Sequence, residues 1–181
     1  MIEVERKFQP TEEQYKLLLD GAVIVEEIVL NDKLYDFPDY RLLKNDIRLR
    51  NRNGSFELKI GKSEDVAEEI EDKETIEKYF STQNLDDFVK NNLIAVTDYT
   101  TKRCRYKKGE FTIDIDEMSF GYKVCEIEIL VENIESAKEA EGKIINLVNK
   151  LGIEIKNLPS KRSEYFRVMK PEIYQELYGK K

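Results

Sequence analysis

The chain has 181 residues, 40% hydrophobic and 37% charged, which suits one domain spanning 1–181, so the surplus charge is either a dense surface or an organised site. A net charge of −7 and a pI near 5.0 argue against a nucleic-acid partner, and the lack of any run of about 18 apolar residues argues against a membrane span. With no His and no Trp, His triads and His metal sites are excluded, and any metal must be a hard, oxygen-liganded cation such as Mg²⁺ or Mn²⁺.

In chain order, Ile2–Phe8 alternates and reads as a strand, too charged for a signal peptide. Thr11 to Asp20 reads as a short helix, started by Pro10-Thr11 and ended by Gly21. A long strand over Ala22 to Tyr35 follows, then a turn at Phe37-Pro38-Asp39. Asp46–Arg52 and Ser55–Ile60 flank Asn53-Gly54, a strong two-residue hairpin signal. A strand is predicted around Val66–Glu71, with helices over Lys73–Phe80 and Leu85–Asn91. Further strands are predicted at Ile94–Tyr106, Glu110–Asp116 and Tyr122–Glu132. Glu135–Leu151 is the clearest amphipathic helix, and Pro171 begins a last short one. Consecutive strands with short turns predict an antiparallel α+β arrangement. The two cysteines, Cys104 and Cys125, form no CxxC, so free thiols in the cytoplasm are expected, buried on the apolar side of their strands.

The informative pattern is a habit shared by many strands. Side chains at i and i+2 point the same way in a strand. Glu3, Glu5 and Lys7 therefore share one face, as do Arg48, Arg50 and Arg52, then Glu57 and Lys59, Arg103 and Arg105, Asp114 and Asp116, and Glu126 and Glu128. Alternation in any single strand is what a solvated sheet shows. Here, though, the polar face is carried by carboxylates and by Arg and Lys rather than by Thr, Ser and Gln, and like charges recur two apart. Such rows are unfavourable unless a counter-charged partner sits between them. A polyphosphate–Mg²⁺ complex would offset both signs at once, since phosphoryl transfer needs charge neutralisation, orientation and a positioned water.

These residues have a family resemblance. Glu3-Val4-Glu5-Arg6-Lys7 resembles the ExExK signature of the CYTH, or triphosphate tunnel metalloenzyme, superfamily, with its thiamine-triphosphatase-like branch the best match. Supporting stretches are Tyr35-Asp36-Phe37-Pro38, Leu49-Arg50-Asn51-Arg52, Glu57-Leu58-Lys59 and Thr101-Lys102-Arg103. Asp114-Ile115-Asp116, Phe120-Gly121-Tyr122 with Glu126-Ile127-Glu128, and Pro159-Ser160-Lys161 continue the family's order. A short motif is weak alone; the ordered set is specific.

The resemblance implies an eight-stranded antiparallel β-barrel, a tunnel with charges in the bore and helices packed outside. It implies metal-dependent hydrolysis of a small triphosphate to diphosphate and phosphate. Arg50, Arg52, Lys59, Arg103 and Lys161 resemble the family's phosphate clamps, and Lys7 its catalytic lysine, which also touches phosphate. Glu3, Glu5, Glu69, Asp114, Asp116, Glu126 and Glu128 resemble its acidic set, which holds Mg²⁺ or Mn²⁺ or orients water; Glu5 and Glu128 join Lys7 as catalytic. Glu68 and Glu71 compete with Glu69 for its place, and Arg105 matches no family motif, leaving it a second clamp or a salt-bridge partner. Two departures concern the substrate. Arg48 stands where thiamine triphosphatases resemble one another in a Trp, and Leu34 stands where the mammalian members have a Tyr. Without a cation–π partner for the thiazolium, inorganic tripolyphosphate stands close beside thiamine triphosphate as a substrate. The resemblance also admits adenylate cyclase chemistry of the class IV type, and the same charged face would serve a non-catalytic polyphosphate-binding module. A monomer or dimer is expected.

Overall fold

A computed structural model of the chain describes residues 2–61 and 68–179. The first elements are β1 (Ile2–Phe8), α1 (Glu12–Leu19), β2 (Val23–Asp36), α2 (Arg41–Lys44), β3 (Ile47–Arg52), β4 (Ser55–Ile60), β5 (Glu68–Ile70) and α3 (Lys73–Tyr79). Then follow α4 (Leu85–Asn92), β6 (Ile94–Lys108), β7 (Phe111–Met118), β8 (Lys123–Val131), α5 (Ala137–Lys150), α6 (Lys161–Met169) and α7 (Pro171–Tyr178). They divide into two compact units: Met1–Val29 with Thr101–Pro159, and Leu30–Thr100 with Ser160–Lys181. The long strands β2 and β6 contribute residues to both.

In unit 1 the strand order is β1-β8-β7-β6, every neighbour antiparallel. One face is apolar. Phe8, Ile113, Cys125, Ile127 and Ile129 pack there with Leu18 of α1 and with Ala140, Ile144 and Val148 of α5. The 3.6-residue spacing of those α5 positions makes the stripe that covers the sheet. Helix α1 begins on a capping box, in which the Gln14 backbone N–H donates to Thr11 Oγ1 at 3.3 Å and the Thr11 N–H donates to Gln14 Oε1 at 2.9 Å.

In unit 2 the order is β2-β3-β4-β5, again antiparallel. Leu49 and Leu58 pack under Ile76 of α3 and under Leu85 and Val89 of α4, with Tyr35, Phe56 and Phe88 at the margin. The β3–β4 turn places Asn53 at φ 50° and Gly54 at φ 93°. Both central residues of a tight hairpin need positive φ, which Asn tolerates and Gly permits freely.

Two helices lie outside the sequence expectation. The four-residue α2 is too short for a period to register; the buried Asp36 carboxylate makes it, accepting N–H groups from Phe37, Leu42 and Leu43 at 2.6, 3.0 and 2.9 Å. Burial raises the Asp36 pKa, against the lowering effect of those donors. Helix α6 is only weakly amphipathic, yet Ser160 caps it, its hydroxyl accepting from the Ser163 N–H at 3.1 Å. The strand expected at Val66–Glu71 appears as Glu68–Ile70; Val66 and Ala67 lie outside the described residues. Cys125 is buried as expected, but Cys104 is half-exposed, with Sγ 3.7 Å from Glu27 Oε1. Among the described residues no helix is long and apolar enough to cross a membrane.

Candidate active site

Strand alternation places Glu3, Glu5 and Lys7 of β1 on the unit 1 face opposite the core. Register adds their neighbours, because directly paired residues of antiparallel strands share a face. Glu5 pairs with Glu128 and Lys7 with Glu126; Glu126 pairs with Asp114; Asp114 pairs with Arg105 and Asp116 with Arg103. Lys107, across from Thr112, joins them. The face thus carries six carboxylates (Glu3, Glu5, Asp114, Asp116, Glu126, Glu128) against four cations (Lys7, Arg103, Arg105, Lys107).

Arg103 is the hub. Its guanidinium lies 2.6 Å from Asp114, 2.6 Å from Asp116 and 3.2 Å from Glu126. Asp114 is 2% exposed and Asp116 1%. Burial alone would lower the Arg103 pKa, but the Asp116 hydrogen bond and the three carboxylate charges raise it, so the side chain stays charged throughout. Arg105 is held bidentately by Asp114 at 2.7 and 2.7 Å. It is a salt-bridge partner of Asp114.

The long rows of like charge are therefore neutralised largely across the strands, by residues of the chain itself. Two places escape this. Glu5 faces Glu128 and Asp114 faces Glu126, acid upon acid, an arrangement that is unfavourable without a cation between them. Arg103 supplies one for Asp114 and Glu126. At the other place Lys7 Nζ donates to Glu5 at 2.5 Å, while Glu128 has no ion pair among the described residues. Burial first, then the Glu126 charge, raises the Glu5 pKa; Lys7 opposes this and Glu3 adds to it.

That shift has a measurable sign. Because Glu5 titrates higher in the folded chain than in the unfolded one, its ionisation reduces stability above the ordinary carboxylate range and has no effect below it. Glu5→Gln is expected to raise the melting temperature at neutral pH, and the gain should vanish as pH falls through the ordinary carboxylate range. Melts at stepped pH test this; a destabilised variant at pH 7 would contradict it.

In unit 2, Arg48, Arg50 and Arg52 of β3 and Lys59 of β4 share the face opposite the core with Asp32, Glu57 and Glu69. Arg52 is bidentate to Asp32 at 2.7 and 3.0 Å. Arg50 Nε donates to Glu57 at 2.8 Å, and the guanidinium lies 3.6 Å from Glu69 and 4.0 Å from Asp32. Lys59 reaches Glu69 at 3.1 Å and is paired in register with Arg48. Lys161 opens α6 just behind the capping Ser160. Glu69 is thus the member of the 68–71 acidic run that meets the clamp residues. The sequence alone did not single out Asp32 as a partner of Arg52. Its signal was spacing: an acid four residues before Asp36, and so on the same face of β2.

The donor set suits a hard divalent cation, since every candidate ligand is a carboxylate. Among the described residues, however, no three acids are gathered closely enough to form a metal cage. The physical reason is that Arg103 and Arg105 already draw Asp114, Asp116 and Glu126 toward themselves.

The CYTH domain matches residues 1–162. The chain belongs to the CYTH family. This CYTH chain is 28% identical to the thiamine-triphosphatase of Homo sapiens, over 98% of its own length and 89% of the relative's. A structure of a Pyrococcus horikoshii OT3 protein superposes at TM-score 0.61 with 25% identity, covering 87% of this chain and 94% of that one. A Hippeastrum protein, described as having a dominant triphosphatase activity, superposes at TM-score 0.59 with 18% identity over 91% and 94% of the two chains. The eight antiparallel strands with outlying helices are the fold of this CYTH chain and of these neighbours.

Proposed function

We propose that this CYTH chain is a cytoplasmic hydrolase that cleaves a small triphosphate to diphosphate and phosphate with Mg²⁺ or Mn²⁺. The observation that carries the reading is the acid-upon-acid register of Glu5 with Glu128, an arrangement that a cation beyond those the chain supplies would relieve. Glu3, Glu5, Glu126 and Glu128 would hold it, with Asp114 and Asp116 drawn in as Arg103 and Arg105 turn away; Glu69 would serve on the unit 2 face. When bound, such a cation supplies charge neutralisation and lowers the pKa of water.

The chain's own residues do the rest. Arg50 and Arg52 bind phosphate oxygens through their planar forks, and Lys59 and Lys161 act as point charges. Arg103 adds a further fork. Lys7, held by Glu5, meets the phosphate at the reacting end. Glu128, without an ion-pair partner among the described residues, is the carboxylate best placed to accept a proton from water. Kinship with the human thiamine-triphosphatase supports a triphosphate substrate. Arg48 in a chain without Trp supports a base-free one, because a cation in that position repels a thiazolium. A panel of thiamine triphosphate, inorganic tripolyphosphate and ATP, each with Mg²⁺ and with Mn²⁺, tests the reading through phosphate release. Tripolyphosphate is expected to be cleaved at least as fast as thiamine triphosphate. No phosphate release from any of the three refutes hydrolysis, and cyclic AMP from ATP would favour cyclase chemistry.

A further inference from the structure

The cations of β6 are answered one by one across the sheet, until the last. Arg103 pairs in register with Asp116 and Arg105 with Asp114, but Lys107 pairs with Thr112. Lys107 continues the row two residues on and shares its face. Its Nζ donates to Thr112 Oγ1 at 2.7 Å, and among the described residues it has no ion pair. A hydroxyl accepts the hydrogen bond but carries no charge. The third cation of the row therefore keeps the charge that the first two have neutralised.

The ammonium is also held in place. Thr112 is 4% exposed, so it fixes Nζ to the floor of the face, although Lys107 as a whole is exposed. An ammonium has three N–H donors; one goes to Thr112 and two remain for another acceptor. Lys7 on β1 and Lys107 on β6 stand at opposite ends of the order β1-β8-β7-β6, with strands spaced about 4.8 Å apart. A linear anion that meets Lys7 at its reacting end points its other end toward Lys107.

We infer that Lys107, seated on Thr112, is a specificity-determining residue that binds the non-reacting end of the substrate and selects a linear polyphosphate whose far phosphate is unesterified. This rests on the triphosphate reading above and deepens it to a substrate class. A terminal phosphate presents close to two negative charges and three acceptor oxygens at neutral pH. A phosphate esterified to thiamine has fewer of both and leads on to a thiazolium, which the ammonium repels. Lys107 thus favours inorganic tripolyphosphate from the unit 1 face, independently of Arg48.

The test measures kcat and KM on tripolyphosphate and on thiamine triphosphate, with Mg²⁺, for the unaltered chain, Lys107→Gln and Lys107→Arg. Thermal melts of each chain, with and without tripolyphosphate, run alongside. Lys107→Gln should melt like the unaltered chain without the anion, since it alters an exposed residue with no ion pair. Its KM for tripolyphosphate should rise about three- to tenfold, with the effect on KM rather than kcat, and tripolyphosphate should raise its melting temperature less. Its KM for thiamine triphosphate should stay level or fall. Lys107→Arg, which keeps the charge, should recover most of the tripolyphosphate KM. Equal changes in both KM values overturn the selection of an unesterified end. A Gln variant with neither KM changed overturns the inference and leaves the triphosphate reading intact. A Gln variant that melts well below the unaltered chain overturns it too, because Lys107 then serves the fold. An unaltered chain that cleaves neither substrate refutes the triphosphate reading and this inference together.

Discussion

An Arg103→Met protein is expected to lose about 3–5 kcal/mol of stability, the usual result of removing one partner from a buried ionic cluster. The side chain it loses lies between Asp114, Asp116 and Glu126, all three buried. Met keeps most of the aliphatic volume, so the loss is electrostatic rather than a cavity. Asp114 keeps Arg105, but it then faces Glu126 without the Arg103 charge between them. For a chain of this length the loss amounts to a fall in melting temperature of roughly 10 °C. Mg²⁺ should reverse part of that fall, and stabilise the variant more than the unaltered chain, because it replaces the positive charge that the carboxylates lose with Arg103. Melts with and without Mg²⁺ decide the matter. A variant as stable as the unaltered chain would mean that Arg103 is not the hub of the cluster, and a variant indifferent to Mg²⁺ would mean that these acids are not a cation site.

Lys59→Ala should have the opposite profile, a loss of turnover with the fold intact. Lys59 pairs with Glu69, and both are about one-third exposed, so the pair contributes less than about 1 kcal/mol. A clamp on developing phosphate charge is worth about 10²–10³ in rate, and that is the expected loss in kcat/KM. Arg52→Ala should lose activity as well, but it also strands Asp32, which is 4% exposed and held bidentately by Arg52. The second change Asp32→Asn should therefore restore stability to the Arg52→Ala chain without restoring turnover. Phosphate release and urea denaturation on these variants and the unaltered chain separate the two effects. Full activity in Lys59→Ala would remove it from the clamp.

The two substitutions differ because of where each cation's counter-charge lies, and that was not legible in the sequence. Arg52 and Lys59 look alike along the chain, each two residues from another charge in an alternating strand. Only pairing across the sheet gives one a buried aspartate and the other a half-exposed glutamate. The same holds for Arg105, which matched no motif and is bound by Asp114 because the β6–β7 register sets them opposite.

The sequence by itself determined the strands, their polarity and the residue types on the charged face. Alternation at period two, the Asn53-Gly54 turn and the α5 stripe are all local, written within a few residues of each element. It could also exclude His chemistry outright and name the family through motifs in order. It could not determine which charges meet, because register is settled between segments as much as 129 residues apart, by the apolar faces that α1, α3, α4 and α5 cover. Helix-driven burial chose the register, and the register decided that Glu5 faces Glu128, that Arg103 stands among three acids, and that Lys107 meets a threonine.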